Sequence, residues 1–366
     1  MSDLNLDLFW KEDELAHKNN CFYKANQVAL GIRMSDECVF AELQEEGNPW
    51  GYTPRERRIE LNKRYNDKAE KIVGKRLLQE MFLPDDARFP YVKRIGEVYG
   101  SEYIMHNGTE WLKESIPDAE ALEKVLDRVD QMDLRAFMFP SNWESEKKRI
   151  FETYGIRPSP NHHIRGPVTL ACSLMGTTEF LYFLADEEEL AERFSASITD
   201  VIIKMAEIMD EEAGLTDNRG FSFADDNCCL LSPAMYEKFG YPVLKKVFAR
   251  FSPDEKDGRY QHSDSAMGHL LPILGRLNLN GVNFGPTVLV PEIRKNLPNA
   301  RIDGCIAPFT FMRNEREELV RQTIRDIEDG FEYGGVNISC AGSINDGSSL
   351  ESMRLIMETI QNHRRP

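Results

Sequence analysis

The sequence predicts an α/β protein, a (β/α)8 TIM barrel with an N-terminal helical extension. From about residue 76 onward, short β-type segments alternate with amphipathic segments of helical periodicity, as in successive βαβ units. Five or more such units in one chain favour a closed barrel over an open, doubly wound sheet. No Gly-x-Gly-x-x-Gly follows a predicted strand, so the sequence lacks the signature of a dinucleotide-binding fold.

The bulk composition limits the classes of partner. With 41% hydrophobic residues among 366, the chain can bury a large core. Its net charge of −16 disfavours nucleic acids and anionic membrane surfaces. No run approaches 18 apolar residues, and Met1 to Trp10 is acidic, so neither a membrane span nor a signal peptide is expected. Seven scattered cysteines are typical of a reducing compartment, which predicts a cytoplasmic protein.

The N-terminal part differs in composition from the rest. Residues 1–75 are polar and charged, and Pro54 opens a predicted helix that runs to about Val73. We therefore divide the chain into an N-terminal cap, residues 1–75, and a barrel, residues 76–366. The aromatic residues Trp50 and Tyr52 suggest, by composition alone, that the cap covers a bound substrate.

Taken in order, the barrel segments predict alternating elements. Ser232 is a good N-cap, and Pro233 suits the first turn of the helix that follows it. Predicted strands cover a β-rich run at 161–171 and then 221–224, 259–261, 281–284, 300–302 and 335–340. Predicted helices cover 119–132, 145–154, 186–213, a segment from 233 onward, 267–277, 291–297, 314–331 and 348–361.

Polar and metal-binding residue types follow the predicted strands. In a (β/α)8 barrel the active site lies at the carboxyl ends of the strands, so these side chains are expected at one mouth. The residues at or just after these ends are Asp225, Asp226, His262, Asp264, Asn283, Phe284, Cys305 and Cys340. We interpret Asn283, Phe284 and Cys305 as candidate substrate-binding residues, although Cys305 also suits a packing role.

His262 and Asp264 form the central pair of this set. On an extended chain, residues i and i+2 point to the same side, so the imidazole and the carboxylate can converge on one metal ion. With Cys340 they make a nitrogen, oxygen and sulfur donor set that is compatible with zinc. Two other interpretations stay open: a base with its orienting acid, and a surface histidine beside a turn-forming aspartate. Cys340 alone also suits a small buried position.

The adjacent acids Asp225 and Asp226 are candidate catalytic residues. Either carboxylate can act as a metal ligand, orient a ligand, or accept a proton. The alternative is a structural cap of the neighbouring turn. Whether Asp264 or one of Asp225, Asp226 and Cys305 completes the metal site is left open.

Several stretches in this order resemble the uroporphyrinogen decarboxylase superfamily over residues 161–361. They are Arg165-Gly166-Pro167-Val168-Thr169 with Gly176-Thr177-Thr178-Glu179, Ala224-Asp225-Asp226 with Leu231-Ser232-Pro233-Ala234-Met235-Tyr236, His262-Ser263-Asp264, and Gly334-Gly335 through Cys340. The resemblance implies a (β/α)8 barrel. The Arg-rich N-terminal signature of the true decarboxylases is absent, which favours the branch of corrinoid-linked methyltransferases.

In that branch, the coenzyme M enzymes bind zinc through His-x-Cys and a distant Cys. His262 and Cys340 match the His and the distant Cys, whereas Asp264 stands where the first Cys would be. A carboxylate makes the site harder, which argues against a thiol acceptor and for zinc acting on an ether oxygen.

The resemblance thus implies a zinc-dependent methyltransferase that moves a methyl group from a small methylated substrate to the cobalt(I) corrinoid of a partner protein. An aromatic methyl ether is the favoured substrate, so the reaction would be an O-demethylation. The alternatives are a cofactor-free decarboxylase of a porphyrinogen-like carboxylate and a catalytically silent barrel that binds a corrinoid protein. A homodimer is left open.

Overall fold

A computed structural model describes residues 4–106 and 109–365, and a seven-stranded sheet runs through it. Nine strands occur in the described residues: β1 (Ala29–Leu30), β2 (Tyr103–His106), β3 (Thr109–Leu112), β4 (His163–Arg165), β5 (Phe221–Ala224), β6 (Arg259–Ser263), β7 (Gly281–Phe284), β8 (Arg301–Asp303) and β9 (Val336–Ile338). The sheet has the order β1-β9-β8-β7-β6-β5-β4, while β2 and β3 form a separate antiparallel hairpin.

Parallel pairing defines the large sheet. β1 pairs with β9, β9 with β8, β8 with β7 and β5 with β4, each in parallel register. Parallel neighbours need crossover connections, and helices provide them here. Because the order along the sheet follows the order along the chain from β4 to β9, the predicted α/β class with a parallel sheet is confirmed.

Helices occupy the segments between the strands. Those of the N-terminal part are α1 (Leu6–Ala16), α2 (Val39–Leu43), α3 (Arg55–Val73) and α4 (Ile95–Val98). The next group comprises α5 (Ala119–Asp130), α6 (Leu134–Met138), α7 (Trp143–Tyr154), α8 (Pro167–Met175), α9 (Thr177–Asp186), α10 (Glu188–Ala213) and α11 (Pro233–Phe251). The last group comprises α12 (Leu271–Leu274), α13 (Val290–Asn296), α14 (Pro308–Met312), α15 (Arg316–Tyr333) and α16 (Leu350–Asn362).

The chain contains two compact units, each with its own apolar core. The first unit comprises Met1–Phe82, His262–Leu271 and Asn278–Pro366, and the second comprises Leu83–Gln261 and Pro272–Leu277. In the first unit, strands β7 to β9 bury Val282, Ile302 and Ile338 completely. In the second, a cluster of rings that includes Phe180, Phe194 and Phe239 packs between helices. The division at residue 75 into cap and barrel stays a prediction.

The β-rich run predicted at 161–171 was wrong beyond Arg165. The strand ends there, and helix α8 begins at Pro167, so that Val168 and Thr169 are helical. Proline suits the first helical position because its missing N–H would have no partner there, and its fixed φ is already helical. The β-branched residues therefore mark a buried helix, not the continuation of a strand.

The helix predicted at 267–277 is broken into short pieces. It consists of a 3-10 turn, Gly268–Leu270, the single turn of α12, and a second 3-10 turn, Gly275–Leu277. Two glycines and Pro272 disfavour a continuous helix in this segment. Strand β6, in contrast, is longer than predicted and includes His262.

Within residues 4–106 and 109–365, no single helix has the length and apolar composition needed to cross a membrane. Helices α8 and α9, which are bent by 108° at their junction, meet the length and composition requirement only as a pair.

A buried carboxylate, Glu212 near the end of α10, ties this helix to α6 and α7. It is 7% exposed and accepts hydrogen bonds from Trp143 Nε1 at 2.8 Å, from Lys147 Nζ at 2.5 Å, and from Arg135. Burial by itself raises the pKa of Glu212, but the hydrogen bonds more than offset it and hold the pKa below its usual range.

We expect Glu212→Gln to lower the free energy of unfolding by about 1–3 kcal/mol at pH 7, because two cations lose their buried partner. The lowered pKa means that the carboxylate stabilises the fold above the pKa of the unfolded chain, and that this stabilisation is lost as the pH falls through the folded pKa. The difference between variant and wild type in urea unfolding is therefore expected to stay constant from pH 7 to about pH 4.5 and to shrink as the pH falls further.

Glu211→Gln is the matched control, because this exposed neighbour also pairs with Arg135 but is solvated. If both substitutions lower the free energy of unfolding equally, the burial of Glu212 does not add to the strength of its ion pairs.

Candidate functional site

The candidate site is built around His262 and Asp264 at the carboxyl end of β6. His262 is the fourth residue of this strand, and Asp264 directly follows its last residue, Ser263. Ser263 is fully buried, while His262 is partly exposed and Asp264 exposed, as alternation along a strand predicts. A ligand atom of the imidazole and one of the carboxylate lie within 4.8 Å of each other. The two side chains therefore lie close together at this strand end, and their role as metal ligands stays a prediction.

Asn283 on β7 fixes the orientation of the His262 ring. Its Oδ1 lies 2.7 Å from Nδ1 of His262 and also accepts the backbone N–H of Gly342 at 3.0 Å. Its amide nitrogen donates to two backbone carbonyl oxygens, that of Cys340 at 2.9 Å and that of Asp303. Because both of these partners are acceptors, the amide cannot be flipped without losing both bonds.

This arrangement selects one tautomer of His262. Nδ1 faces an acceptor, so it carries a proton, and in the neutral ring the lone pair is then on Nε2. A metal-binding histidine commonly donates its second ring N–H to a carbonyl oxygen in this way, which fixes the ring and increases its basicity. His262 is therefore oriented as a ligand or as a base.

Asn283 itself is 7% exposed, and its amide is engaged within the protein. Its position at a strand end predicts substrate binding. The geometry favours a role in orienting His262 over direct contact with a substrate.

Cys340 contributes a backbone carbonyl to this network, but its thiol lies apart. Among the described residues, Cys340 belongs to no group of three or more His, Cys, Asp or Glu side chains with ligand atoms within 4.8 Å of one another. The side chain is 1% exposed, and burial, followed by the nearby Cys38, raises the pKa of its thiol. The predicted set of His262, Asp264 and Cys340 is thus not assembled as three converging donors.

Asp225, the last residue before a 3-10 turn, supports helix α8. Its Oδ1 accepts the backbone N–H of Thr169 at 2.8 Å and the Thr169 hydroxyl at 2.9 Å. Thr169 is the third residue of α8, so the carboxylate satisfies one of the N–H groups that a helix start leaves unpaired. Burial raises the pKa of Asp225 to about 6, and the bonds from Thr169 act in the opposite direction. Oδ2 is buried without a hydrogen-bond partner in the part of the chain that the structure describes.

Asp226 has a different environment from its neighbour. It begins the 3-10 turn Asp226–Leu230 at the carboxyl end of β5, and it is partly exposed. Of the two adjacent acids, Asp226 is the one with access to solvent, whereas Asp225 is fully buried.

Phe284 and Cys305, two predicted substrate contacts, are both fully buried. Phe284 packs in the core of the first unit. The backbone N–H of Cys305 donates to Asp326 Oδ2 at 2.7 Å, and burial raises the pKa of its thiol. Neither side chain can contact a substrate unless the strand ends rearrange. Trp50 and Tyr52, which we expected to cover the substrate, are exposed.

Comparison with known proteins identifies the family. The family model described as "Uroporphyrinogen decarboxylase (URO-D)" matches residues 163–363, which is more than half of the chain. The chain belongs to the URO-D family. The URO-D fold is a TIM barrel, so the predicted fold class is confirmed. No curated protein was found to match the sequence.

A solved structure supports the same fold for this URO-D chain. It is a methyltransferase from Methanosarcina mazei, which is 16% identical to this chain and has a TM-score of 0.59. The match covers 96% of this chain and 97% of that one. At this identity the likeness shows the fold.

Sequence reasoning missed Thr169 and Gly166 as part of the site's support. A Cβ on Gly166 would lie 2.2 Å from Cβ of Asp225, so only glycine lets the two backbones approach this closely. The signal was present in the Gly166-Pro167 pair, which marks a helix start, but we interpreted it as part of a strand.

We predict that Gly166→Ala lowers the free energy of unfolding by about 1–3 kcal/mol, because the added methyl group overlaps the Asp225 side chain. Gly258→Ala is the control in the same unit, since its Cβ would meet only Cα of Gly220 at 3.7 Å. Urea unfolding measures both variants. If Gly166→Ala lowers the free energy of unfolding no more than Gly258→Ala does, the close approach of Gly166 to Asp225 does not require glycine.

Proposed function

We propose that this URO-D family protein is a zinc-dependent methyltransferase that moves a methyl group from a small methylated substrate to the cobalt(I) corrinoid of a partner protein. An aromatic methyl ether is the substrate class we favour, which makes the reaction an O-demethylation. The observation that carries the proposal is the His262 ring, whose Nδ1 is held by Asn283 with Asp264 beside it.

A structural comparison and a feature of the sequence support a methyl-transfer function. The chain belongs to a family whose fold it shares with the Methanosarcina mazei methyltransferase over nearly the full length of both chains. The sequence also lacks the Arg-rich N-terminal signature of porphyrinogen decarboxylases. These two points favour methyl transfer. Zinc binding is proposed from the side chains of the site.

For the ligand set we propose Asp226, His262 and Asp264, with Asp226 in place of Cys340. These three side chains form a group that could hold one metal ion. Asp226 lies at the carboxyl end of β5, as the first residue of the 3-10 turn Asp226–Leu230. One imidazole and two carboxylates fit zinc in a catalytic site, where three protein ligands leave a position open.

A zinc ion bound there would supply positive charge that stabilises the oxygen of a departing alkoxide or phenoxide. Asn283 keeps the His262 ring in the metal-binding tautomer through the bond to Nδ1. Asp264 and Asp226 contribute negative charge, which makes the site hard and better suited to an oxygen than to a sulfur. Asp225 supports the neighbouring segment through its bonds to Thr169.

Decarboxylation is the second candidate, since the matching family model carries that description. A substrate with several carboxylates would meet Asp226 and Asp264, together with a chain of net charge −16. The charge at the candidate site therefore favours a neutral, methylated substrate over a polyanionic one.

Metal binding by variants distinguishes the two ligand sets. We expect about one zinc per chain in the wild type, and loss of that zinc in both His262→Ala and Asp226→Asn. Cys340→Ser is the matched control and is expected to keep its zinc. Asn283→Ala is expected to bind zinc about 10–100-fold more weakly, because the ring loses its orienting partner. Elemental analysis and competition with a chelating dye measure these outcomes. If Asp226→Asn keeps its zinc and Cys340→Ser loses it, the third ligand is the Cys340 sulfur and not the Asp226 carboxylate.

A screen of methyl donors against a cobalt(I) corrinoid tests the reaction. The absorbance of the corrinoid is expected to change as it is methylated, and the rate is expected to fall at least about 100-fold in His262→Ala. Turnover that is unaffected by this substitution and by a chelator would rule out the proposed mechanism. Binding of a corrinoid protein without turnover of any donor would instead indicate a catalytically silent barrel. Release of carbon dioxide from a carboxylated pyrrole without metal would favour decarboxylation.

A further inference from the structure

A cysteine, a histidine and an aspartate are aligned at the end of helix α1. Asp13, His17 and Cys21 are spaced four residues apart. His17 Nε2 lies 3.4 Å from Asp13 Oδ2, and His17 Nδ1 lies 3.8 Å from Cys21 Sγ. A thiol next to an imidazole that a carboxylate orients is the arrangement of an activated nucleophile.

The contacts of His17 determine which nitrogen faces the thiol as a base. Nε2 faces the Asp13 carboxylate and also the backbone carbonyl oxygen of Leu30, at 3.3 Å. Both are acceptors, so Nε2 carries a proton, and Nδ1 is the atom that exchanges a proton with Cys21. Asp13 is 5% exposed, and its other oxygen accepts the N–H of Leu30 at 2.7 Å, so the orienting carboxylate is itself fixed.

Hydrogen bonds within this group raise the pKa of His17 to about 10, with the bond to Asp13 contributing most and the bond to Cys21 next. The ring is then protonated at neutral pH. A cationic hydrogen-bond donor therefore lies 3.8 Å from the sulfur of Cys21.

The backbone turns sharply to bring Cys21 back toward His17. Asn19, Asn20 and Cys21 have φ values of 51°, 54° and 65°, which is the left-handed region. Asparagine tolerates this conformation better than most residues, but cysteine rarely adopts it. The turn places Cys21 at the wall of a cavity.

That cavity has a volume of about 210 Å³ and holds polar groups that lack partners. Gln27, which is 3% exposed, lines it, and its Oε1 has no hydrogen-bond partner among residues 4–106 and 109–365. Arg365 also lines it, with a buried Nε that makes no hydrogen bond in the described residues. An unpaired acceptor and an unpaired donor around a void indicate a place for a polar ligand.

The cavity is not part of the candidate metal site. It is lined by Val28 and Ala29 at the amino end of β1 and by Gly334 and Val336 at the amino end of β9. His262 and Asp264, in contrast, lie at the carboxyl end of β6. The two features therefore belong to opposite ends of the strands.

We propose that Cys21 is a reactive thiol that forms a mixed disulfide with a small carboxylate-bearing disulfide bound in this cavity. The Arg365 guanidinium binds the carboxylate of the ligand, and Gln27 Oε1 accepts from a donor on it. The sulfur of Cys21, facing His17, attacks the nearer sulfur of the ligand.

The exchange balances without a further oxidant. A bond forms between Cys21 Sγ and one sulfur of the ligand, and the sulfur–sulfur bond of the ligand breaks. The other half of the ligand leaves as a thiolate and takes the proton that His17 held. The ligand disulfide is reduced, and Cys21 is oxidised to the mixed disulfide.

Charged groups of both signs surround the pair. Those lining the groove beside His17 are Lys11, Asp13, Glu14, Arg33, Lys75 and Arg76, and those lining the cavity beside Cys21 are Lys24, Glu332 and Arg365. The cations in both places favour an anionic ligand, and the acids oppose it.

The test measures modification of each cysteine by dithiodipropionate, which carries two carboxylates, and by cystamine, which carries two ammonium groups. Peptide mass spectrometry at pH 7 gives the rate at Cys21, with the partly exposed Cys229 as the internal control. We expect Cys21 to react with dithiodipropionate at least about tenfold faster than Cys229 does. His17→Gln is expected to remove most of this advantage at pH 7. At pH 9, where a thiol ionises without help, the absolute rate at Cys21 in this variant is expected to approach that of the wild type. Arg365→Gln is expected to abolish the preference for dithiodipropionate over cystamine.

A Cys21 rate no higher than that of Cys229, or one unchanged by His17→Gln, would overturn the proposal. A preference for dithiodipropionate that persists in Arg365→Gln would overturn the assignment of the cavity as the binding site. Because the rate at Cys229 is read in the same sample, a variant that unfolds is recognised by a rise at both cysteines. The assay needs neither zinc nor corrinoid, so its result is independent of the proposed methyl transfer.

Discussion

The hydrogen bond between His262 and Asn283 is the contact on which the candidate site depends. A histidine at a strand end can rotate about its side-chain bonds and change tautomer, and either change would redirect its lone pair. Asn283 prevents both, because its own amide is held by the backbone carbonyls of Cys340 and Asp303. Strands β7 and β8 and the segment that follows β9 thus contribute to the position of one imidazole.

The acids of the site divide into two kinds by their surroundings. Asp225 is buried and engaged with Thr169, while Asp226 and Asp264 have access to solvent. Asp225 is fully buried beside Thr169, and Asp226 begins the 3-10 turn and is partly exposed, so one aspartate supports the scaffold and the next is available to a ligand. The two neighbouring carboxylates therefore have different surroundings and different roles.

The sequence predicted the parallel α/β architecture well, because periodicity and turn residues report burial directly. It also placed His262 and Asp264 together, since spacing along a strand fixes which side a residue faces. It could not orient the Cys340 thiol. Strand β9 ends at Ile338, and beyond that point alternation no longer determines direction. The role of Asn283 was hidden for a related reason, because hydrogen bonds to carbonyls of distant segments leave no mark in the sequence.

The start of α8 shows how a local pattern is overridden by a tertiary contact. Val168 and Thr169 favour strands by their branched side chains, yet Gly166, Pro167 and the buried carboxylate of Asp225 make them helical.

Thr169 donates two hydrogen bonds to one oxygen of the buried Asp225 carboxylate, and Gly166 leaves the space in which the two residues meet. A substitution at any one of the three positions alone would leave a buried polar group without a hydrogen bond or would create a steric clash. Positions 166, 169 and 225 are therefore expected to covary among homologous sequences. A homologue without the acid at position 225 is expected to differ in the first turn of α8 as well.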